Sequence, residues 1–329
     1  MTRTARISWK LLLPLTAAAV LSAGVARAAY PERPITMIVP FAAGGPTDVV
    51  ARIVAENMSR TLGQQIVVEN VAGAGGTTGI LRGAQSAPDG YTIMMGHMGT
   101  HGAAPAVYPE LKYDPTKDFA PIGLAAGTPI LVVARKDFPA KDLKEFVAYV
   151  KANSEKLNEA HAGVGSVSFT TCSLFNSLLG ANPTRVVYRG TGPALNDLVA
   201  GQVDYMCDQI VNLVPQIQAG TIRAYGVALP ARSPALPEVP TTVEGGLPEF
   251  QVSAWNAVFA PKGTPPEIVK KLSDALRKAL ADEGTRKRLL DLGGDVSNVA
   301  AQTPEGLQKL VESEVARWNK VLKATGQAK

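Results

Sequence analysis

The order of element types along the chain constrains its fold more than any single motif. From residue 35 onward a short apolar run, a glycine-rich loop and an amphipathic stretch follow one another, and the series then repeats. Residues 35–40 read as a buried strand. Gly45-Pro46 opens a helix, with Pro46 at its first position and Asp48 in its first turn, where a carboxylate suits the helix dipole. Gly63 closes that helix. Strands follow at 66–69 and 91–95, with a short helix near 80–86 between them. A second series starts with a strand at 130–134 and a helix at 143–152. It continues with strands at 160–163, 185–188, 203–207 and 222–227 and helices at 169–179, 193–200 and 212–219. Such alternation predicts an α/β fold with parallel sheets.

The pattern breaks at residues 230–248, where Pro230, Pro234, Pro237, Pro240 and Pro248 predict an irregular connection. A strand at 255–260 and helices at 267–281, 284–292 and 304–324 complete the chain, with Thr303 capping the last helix before Pro304. A chain of 329 residues is long enough for two cores. The expectation is therefore two lobes, each with a mainly parallel sheet. Residues 29–126 begin lobe 1, 127–252 form lobe 2, and 253–329 return to lobe 1 with the C-terminal helices. The chain then crosses between lobes near 123–127 and 252–256, and a hinge is expected there.

The formal charge of +5 invites a nucleic-acid reading, which its distribution argues against. The first 28 residues hold Arg3, Arg6, Lys10 and Arg27 and no acid; the remainder holds 29 basic and 28 acidic residues. A basic start, an apolar run over 11–25 and the small-residue site Ala26-Arg27-Ala28 form the layout of a cleavable signal peptide over residues 1–28. The apolar run, interrupted by Pro14, is short for a membrane span. A nearly neutral, soluble, exported protein that binds no nucleic acid is expected. A monomer is the default.

The chemistry-bearing stretches lie where strands give way to helices. Phe41-Ala-Ala-Gly-Gly-Pro-Thr-Asp48 can present backbone N–H groups to an anion, with Phe41, Ala43, Gly44, Gly45 and Asp48 as candidates; an ordinary tight turn is the alternative. Gly73-Ala-Gly75-Gly76-Thr-Thr78 differs from a dinucleotide fingerprint at Thr78, no acid ends the next strand, and the chain has no P-loop, so no nucleotide cofactor is expected. Gly96-His97-Met98-Gly99-Thr100-His101-Gly102 places two histidines four apart, but its glycines argue against a helix and no third metal ligand is near. Hydroxyl and imidazole groups lining a polar cleft are expected instead. Gly163-Val-Gly165-Ser166-Val-Ser168 mirrors the first loop; no nucleophile elbow surrounds Ser166, and one serine can serve simply as a helix cap. Arg189 can pair a carboxylate or sit at the surface, and Asp208 ends a strand, where open α/β sheets bind ligands. Cys172 and Cys207 are either bridged, as an oxidising compartment permits, or two separate buried thiols.

Taken together, Pro40-Phe-Ala-Ala-Gly-Gly-Pro-Thr-Asp48, Glu69-Asn70, Gly73-Ala-Gly-Gly76, Pro88-Asp-Gly-Tyr91, Tyr113-Asp-Pro115, Lys117-Asp-Phe119, Tyr188-Arg-Gly-Thr-Gly-Pro193, Ala200-Gly-Gln-Val-Asp204 and Ala260-Pro-Lys-Gly-Thr-Pro265 resemble the substrate-binding components of tripartite tricarboxylate transporters, the Bug receptors. The resemblance covers essentially the whole chain after residue 28. It implies a periplasmic, two-lobe, Venus-flytrap binding protein that closes on a small carboxylate and delivers it to the membrane subunits of such a transporter, with no catalysis and no cofactor. It places ligand contacts in the loops at 41–48, Gly75 to Thr77, His97 through Thr100 to His101, Ser166 through Ser168 to Thr171, Arg189 through Gly190 to Thr191, and Asp208-Gln209. His97-Met98 stand where small or polar residues are the family pattern, so both are expected to reshape the distal end of the pocket. The competing expectation is an exported α/β hydrolase or transferase using His97, His101 or Ser166.

Overall fold

The first lobe is organised by β1 (Ile35–Val39), whose side chains are almost all buried because the sheet is covered on both faces. A computed structural model of the chain describes Thr2 and residues 30–328. The expected signal peptide lies, apart from Thr2, outside the described residues. Residues Pro31–Lys329 form one compact unit.

From β1 the chain turns into α1 (Pro46–Leu62), with Pro46 in its first turn and Gly63 in the left-handed region (φ 72°) closing it. Strand β2 (Ile66–Asn70), helix α2 (Thr77–Ala84) and strand β3 (Thr92–His97) follow; β2 and β3 lie parallel to β1 on either side. A π-helical segment, Met98–Ala103, then leads into the short α3 (Ala104–Val107). This is a departure from expectation. The glycines at 96, 99 and 102 were grounds against a helix, yet they allow the close packing the wide turn needs: Gly102 faces Glu314 and Trp318.

Strand β4 (Phe119–Arg135) belongs to both lobes. Up to Pro129 it pairs antiparallel with β9 (Ser253–Pro261), and from Ile130 it pairs antiparallel with β7 (Tyr205–Gln209). The exchange of partners thus falls at Pro129, just beyond the expected crossing at 123–127, opposite Ser253. The second sheet adds β5 (Asn158–His161), β6 (Thr184–Val187) and β8 (Ile222–Val227). Its helices are α4 (Leu143–Asn153), α5 (Val167–Leu179), α6 (Thr191–Val199) and α7 (Val214–Gln218). The sheets are mixed rather than mainly parallel. The βα units pair in parallel, whereas every pairing made by β4 is antiparallel.

The C-terminal helices α8 (Pro266–Ala281), α9 (Glu283–Asp291) and α10 (Pro304–Ala324) pack with first-lobe elements. Glu314 on α10 anchors this packing: its Oε2 accepts the indole N–H of Trp255 at 3.2 Å and of Trp318 at 3.1 Å. The second lobe is filled by Phe138, Phe146, Phe175, Tyr205, Tyr225 and Phe250. A disulfide joins Cys172 on α5 to Cys207 on β7. Among the described residues no helix is long and apolar enough to cross a membrane.

Candidate functional site

The loop after β1 is held by Asp48. Its Oδ2 accepts from the Gly44 amide at 3.1 Å and Arg52 Nε at 2.9 Å, and its Oδ1 from Asn70 Nδ2 at 2.9 Å. Burial raises the pKa of this acid, but the bonds from Arg52, Asn70 and Gly44 together hold it below its ordinary value. Asn70 Nδ2 also donates to the carbonyl of Phe41. The carboxylate of Asp48 is thus committed to shaping residues 41–45.

At the end of β3, His97 acts as the cap of the π-helical segment. Its Nδ1 accepts the Thr100 amide at 3.1 Å while the Thr100 hydroxyl accepts the His97 amide at 3.1 Å, a reciprocal capping box. Because Nδ1 accepts, the neutral ring carries its proton on Nε2 and is a donor there. The ring stacks on Phe41 at 4.9 Å, and burial pushes its pKa down to about 4. It is therefore uncharged at neutral pH.

From the second lobe come the N-termini of two helices. Ser166 caps α5, accepting the Phe169 amide at 3.2 Å, and its hydroxyl lies 3.3 Å from that of Ser168, which accepts the Ala162 amide at 3.0 Å. Thr191 opens α6. The floor is Asp208-Gln209 at the end of β7. Gln209 Oε1 accepts from the Thr128 hydroxyl and from Asn256 Nδ2, each at 2.7 Å. Burial pushes the Asp208 carboxyl up to about 7.

These groups meet across the lobes. Phe41, Thr47 and His97 face Ala162, Ser166, Val167, Ser168, Thr191, Asp208 and Gln209 around a cavity with about 10 Å³ open to the centre of a water molecule. That is room for about one water. No lysine or arginine lines it. Contacts between the lobes surround it. The Ala42 amide donates to the carbonyl of Arg189 at 3.0 Å, and the Tyr108 hydroxyl lies 2.7 Å from the carbonyl of Val164. Gly45 lies beside Thr191, Gly190 against Ala42, and Gly192 against Ala43 and Gly44. Gly75 (φ 62°) is pressed so closely on the Val164 carbonyl that a Cβ there would collide with it.

Several expected residues lie elsewhere. His101 stacks on Phe259 at 4.0 Å, beside Phe119 and Tyr113, and its Nδ1 meets the Thr100 hydroxyl at 2.9 Å. Burial holds its pKa well below the usual value, so it is a neutral core residue. Thr100 is occupied by the cap, and the Thr171 hydroxyl donates into backbone carbonyls, Val167 among them. Met98 is fully buried in the hydrophobic core and does not shape the pocket. Arg189 is exposed on an outer groove, so only its backbone serves the lobe contact. Gln209 lines the cavity as the resemblance implies; Thr47 and Val167, which fall within the indicated loops, and Ala162, which does not, line it as well.

The residues of the hydrolase reading do not form a catalytic set. Ser166 is a helix cap, His97 Nδ1 is engaged by Thr100, and His101 is in the aromatic core. Among the described residues no group of three or more potential ligands could hold a metal ion.

Known proteins agree with this architecture. Residues 50–327 match the family described as the tripartite tricarboxylate transporter family receptor. The solved structure of MatC from Rhodopseudomonas palustris with bound malate is 52% identical, covering 89% of this chain and all of its own, with a TM-score of 0.86. The periplasmic binding protein BugD is 44% identical over 91% of this chain and all of its own, with a TM-score of 0.88. An R. palustris protein with adipate is 33% identical over 91% of this chain and 99% of its own, with a TM-score of 0.87. This chain, with its two-lobe fold and a solute-binding rather than a catalytic site, belongs to the family of tripartite tricarboxylate transporter receptors.

Proposed function

We propose that the protein is an exported periplasmic receptor that captures a small dicarboxylate between its lobes, as a monomer, and hands it to the membrane subunits of a tripartite transporter. The observation that carries this reading is the cation-free cavity, ringed by hydroxyls, the His97 ring and helix N-termini contributed by both lobes. Such donors, with ordered water, suit a carboxylate without a fixed positive charge. Related proteins hold malate and adipate, two dicarboxylates of different length. A cavity with room for one water admits such a ligand only after the lobes part. Ligand arrival therefore couples to lobe motion, and the closed form offers the membrane partners a distinct surface.

In this reading lobe 1 comprises residues 29–126 and 253–329 and lobe 2 residues 127–252. Phe41, His97, Ser166, Ser168, Thr191 and Asp208 contact the ligand by side chains, and residues 43–45 and 190 by backbone. Isothermal titration of the protein, without residues 1–28, against mono-, di- and tricarboxylates tests it. Saturable one-to-one binding of a dicarboxylate, without turnover, is expected; binding of none of them would refute it.

A further inference from the structure

Asp208 is the one cavity-lining group whose chemistry runs against an anionic ligand. It is the penultimate residue of β7, with 1% of its surface exposed. Its Oδ1 has no hydrogen-bond partner, and its Oδ2 receives a long bond from Asn212 Nδ2 at 3.3 Å. Burial outweighs the Gln209 backbone amide, the Thr191 hydroxyl and Asn212, which in that order favour its ionised form.

Among the described residues, no lysine or arginine lines the cavity with it. Around the cavity, α5 contributes the hydroxyls of Ser166 and Ser168, and α6 that of Thr191. On β4, Leu131 is the register partner of Asp208, and Thr128 is bonded to Gln209. Across the cleft β3 contributes His97, and α1 contributes Thr47, while Asp48 is turned onto Arg52 and Asn70. On the neighbouring β5, His161 accepts the Gly163 amide at its Nδ1. Protonating either His97 or His161 would break an existing hydrogen bond at Nδ1, whereas Oδ1 of Asp208 has a vacant lone pair.

Two carboxylates in one desolvated site do not both stay ionised. On the carboxylate-receptor reading above, we infer that Asp208 takes up one proton from solvent when the lobes close on a dicarboxylate, and donates it as an O–H···O hydrogen bond to the ligand. Ligand capture is then a proton-linked step. The direction agrees with burial already pushing this carboxyl up to about 7 before an anion is added. In the open form the group is hydrated and ionised at neutral pH.

The sign follows from linkage. The bound form holds more protons than the free form, so affinity is greatest at low pH and falls as pH rises between the open and closed pKa values. Isothermal titration at about pH 6.5, in two buffers of different ionisation enthalpy, reads the proton count directly. Uptake of close to one proton per dicarboxylate is expected, with the Kd weakening about tenfold from pH 6 to pH 7. Asp208→Asn, whose amide can donate without titrating, is expected to bind with neither proton uptake nor this pH slope. Saturable binding by the unmodified protein with no proton uptake overturns the inference while leaving the receptor reading intact. Uptake that persists in Asp208→Asn overturns it equally. If that variant does not fold, the unmodified protein's proton count decides alone. Failure of every dicarboxylate to bind overturns the receptor reading and this inference together.

Discussion

Asn256 on β9 donates a 2.7 Å hydrogen bond to the side-chain oxygen of Gln209 on β7, joining the cavity floor in the second sheet to a strand of the first. Thr128, next to the point where β4 exchanges partners, donates to the same oxygen. The residue beside Asp208 is thus tied to β9 of the first sheet and to β4, the strand shared by both lobes.

Gln209→Ala would leave two buried donors, Thr128 Oγ1 and Asn256 Nδ2, without their shared acceptor. A loss of about 2 kcal/mol is expected, because an orphaned buried donor costs more than the bond was worth. Urea denaturation measures it. Ligand affinity should fall as well, since the floor loses its fixed position.

Gly75→Ala separates closure from folding. The added Cβ would meet the Val164 carbonyl of the other lobe first and the Tyr108 hydroxyl next. The left-handed backbone at Gly75 adds about 1 kcal/mol of strain. A dicarboxylate Kd weakened at least about tenfold is expected, with a Tm only slightly lowered. Small-angle scattering with saturating ligand should show a more open molecule than the parent.

The Cys172–Cys207 bridge ties α5, capped by Ser166, to β7, which ends in Asp208-Gln209. Replacing both cysteines with serine is expected to cost about 3 kcal/mol in chemical denaturation. Reductant should lower the stability of the parent protein and leave that of the double variant unchanged.

Glu159 carries a pH signature. It is fully buried, accepts from Asn176 Nδ2 at 2.6 Å, and has no partner for Oε1. Burial pushes its pKa up to about 7, against the opposing effects of Arg185 and Asn176. The folded state therefore binds this proton more tightly than the unfolded chain. Stability from this group is full below the unfolded pKa, about 4.3, and is lost as pH rises toward 7. Glu159→Gln, which keeps an acceptor for Asn176, should be more stable than the parent at pH 8, by on the order of 2–3 kcal/mol. The difference should shrink toward pH 4.5; denaturation curves at both pH values check this.

Much of the chain could be read locally. Pro46 and Gly63 bracket α1, and Thr303 and Pro304 open α10, because a helix end has backbone groups that only certain residues satisfy. The strand at 222–227 and the last helix match their expected bounds. β4 was legible only over 130–134, since Pro121, Gly123, Gly127 and Pro129 interrupt its apolar pattern. Pairing along β9 extends it to 17 residues.

By itself the sequence determined the alternation of elements, the family and the loops from which a site could be built. Those follow from short-range chemistry: periodicity, caps and turn residues. The tertiary structure alone decided which side chains in those loops turn inward. His97 lines the cavity while His101, four residues on, stacks on Phe259 in the core. The π-helical turn between them sends the two rings in different directions, and packing against Glu314 and Trp318 on α10 accompanies that turn. Asp208 and Ser166 likewise acquire their setting from a partner lobe distant in sequence, because burial and the loss of water arise only where the two surfaces meet.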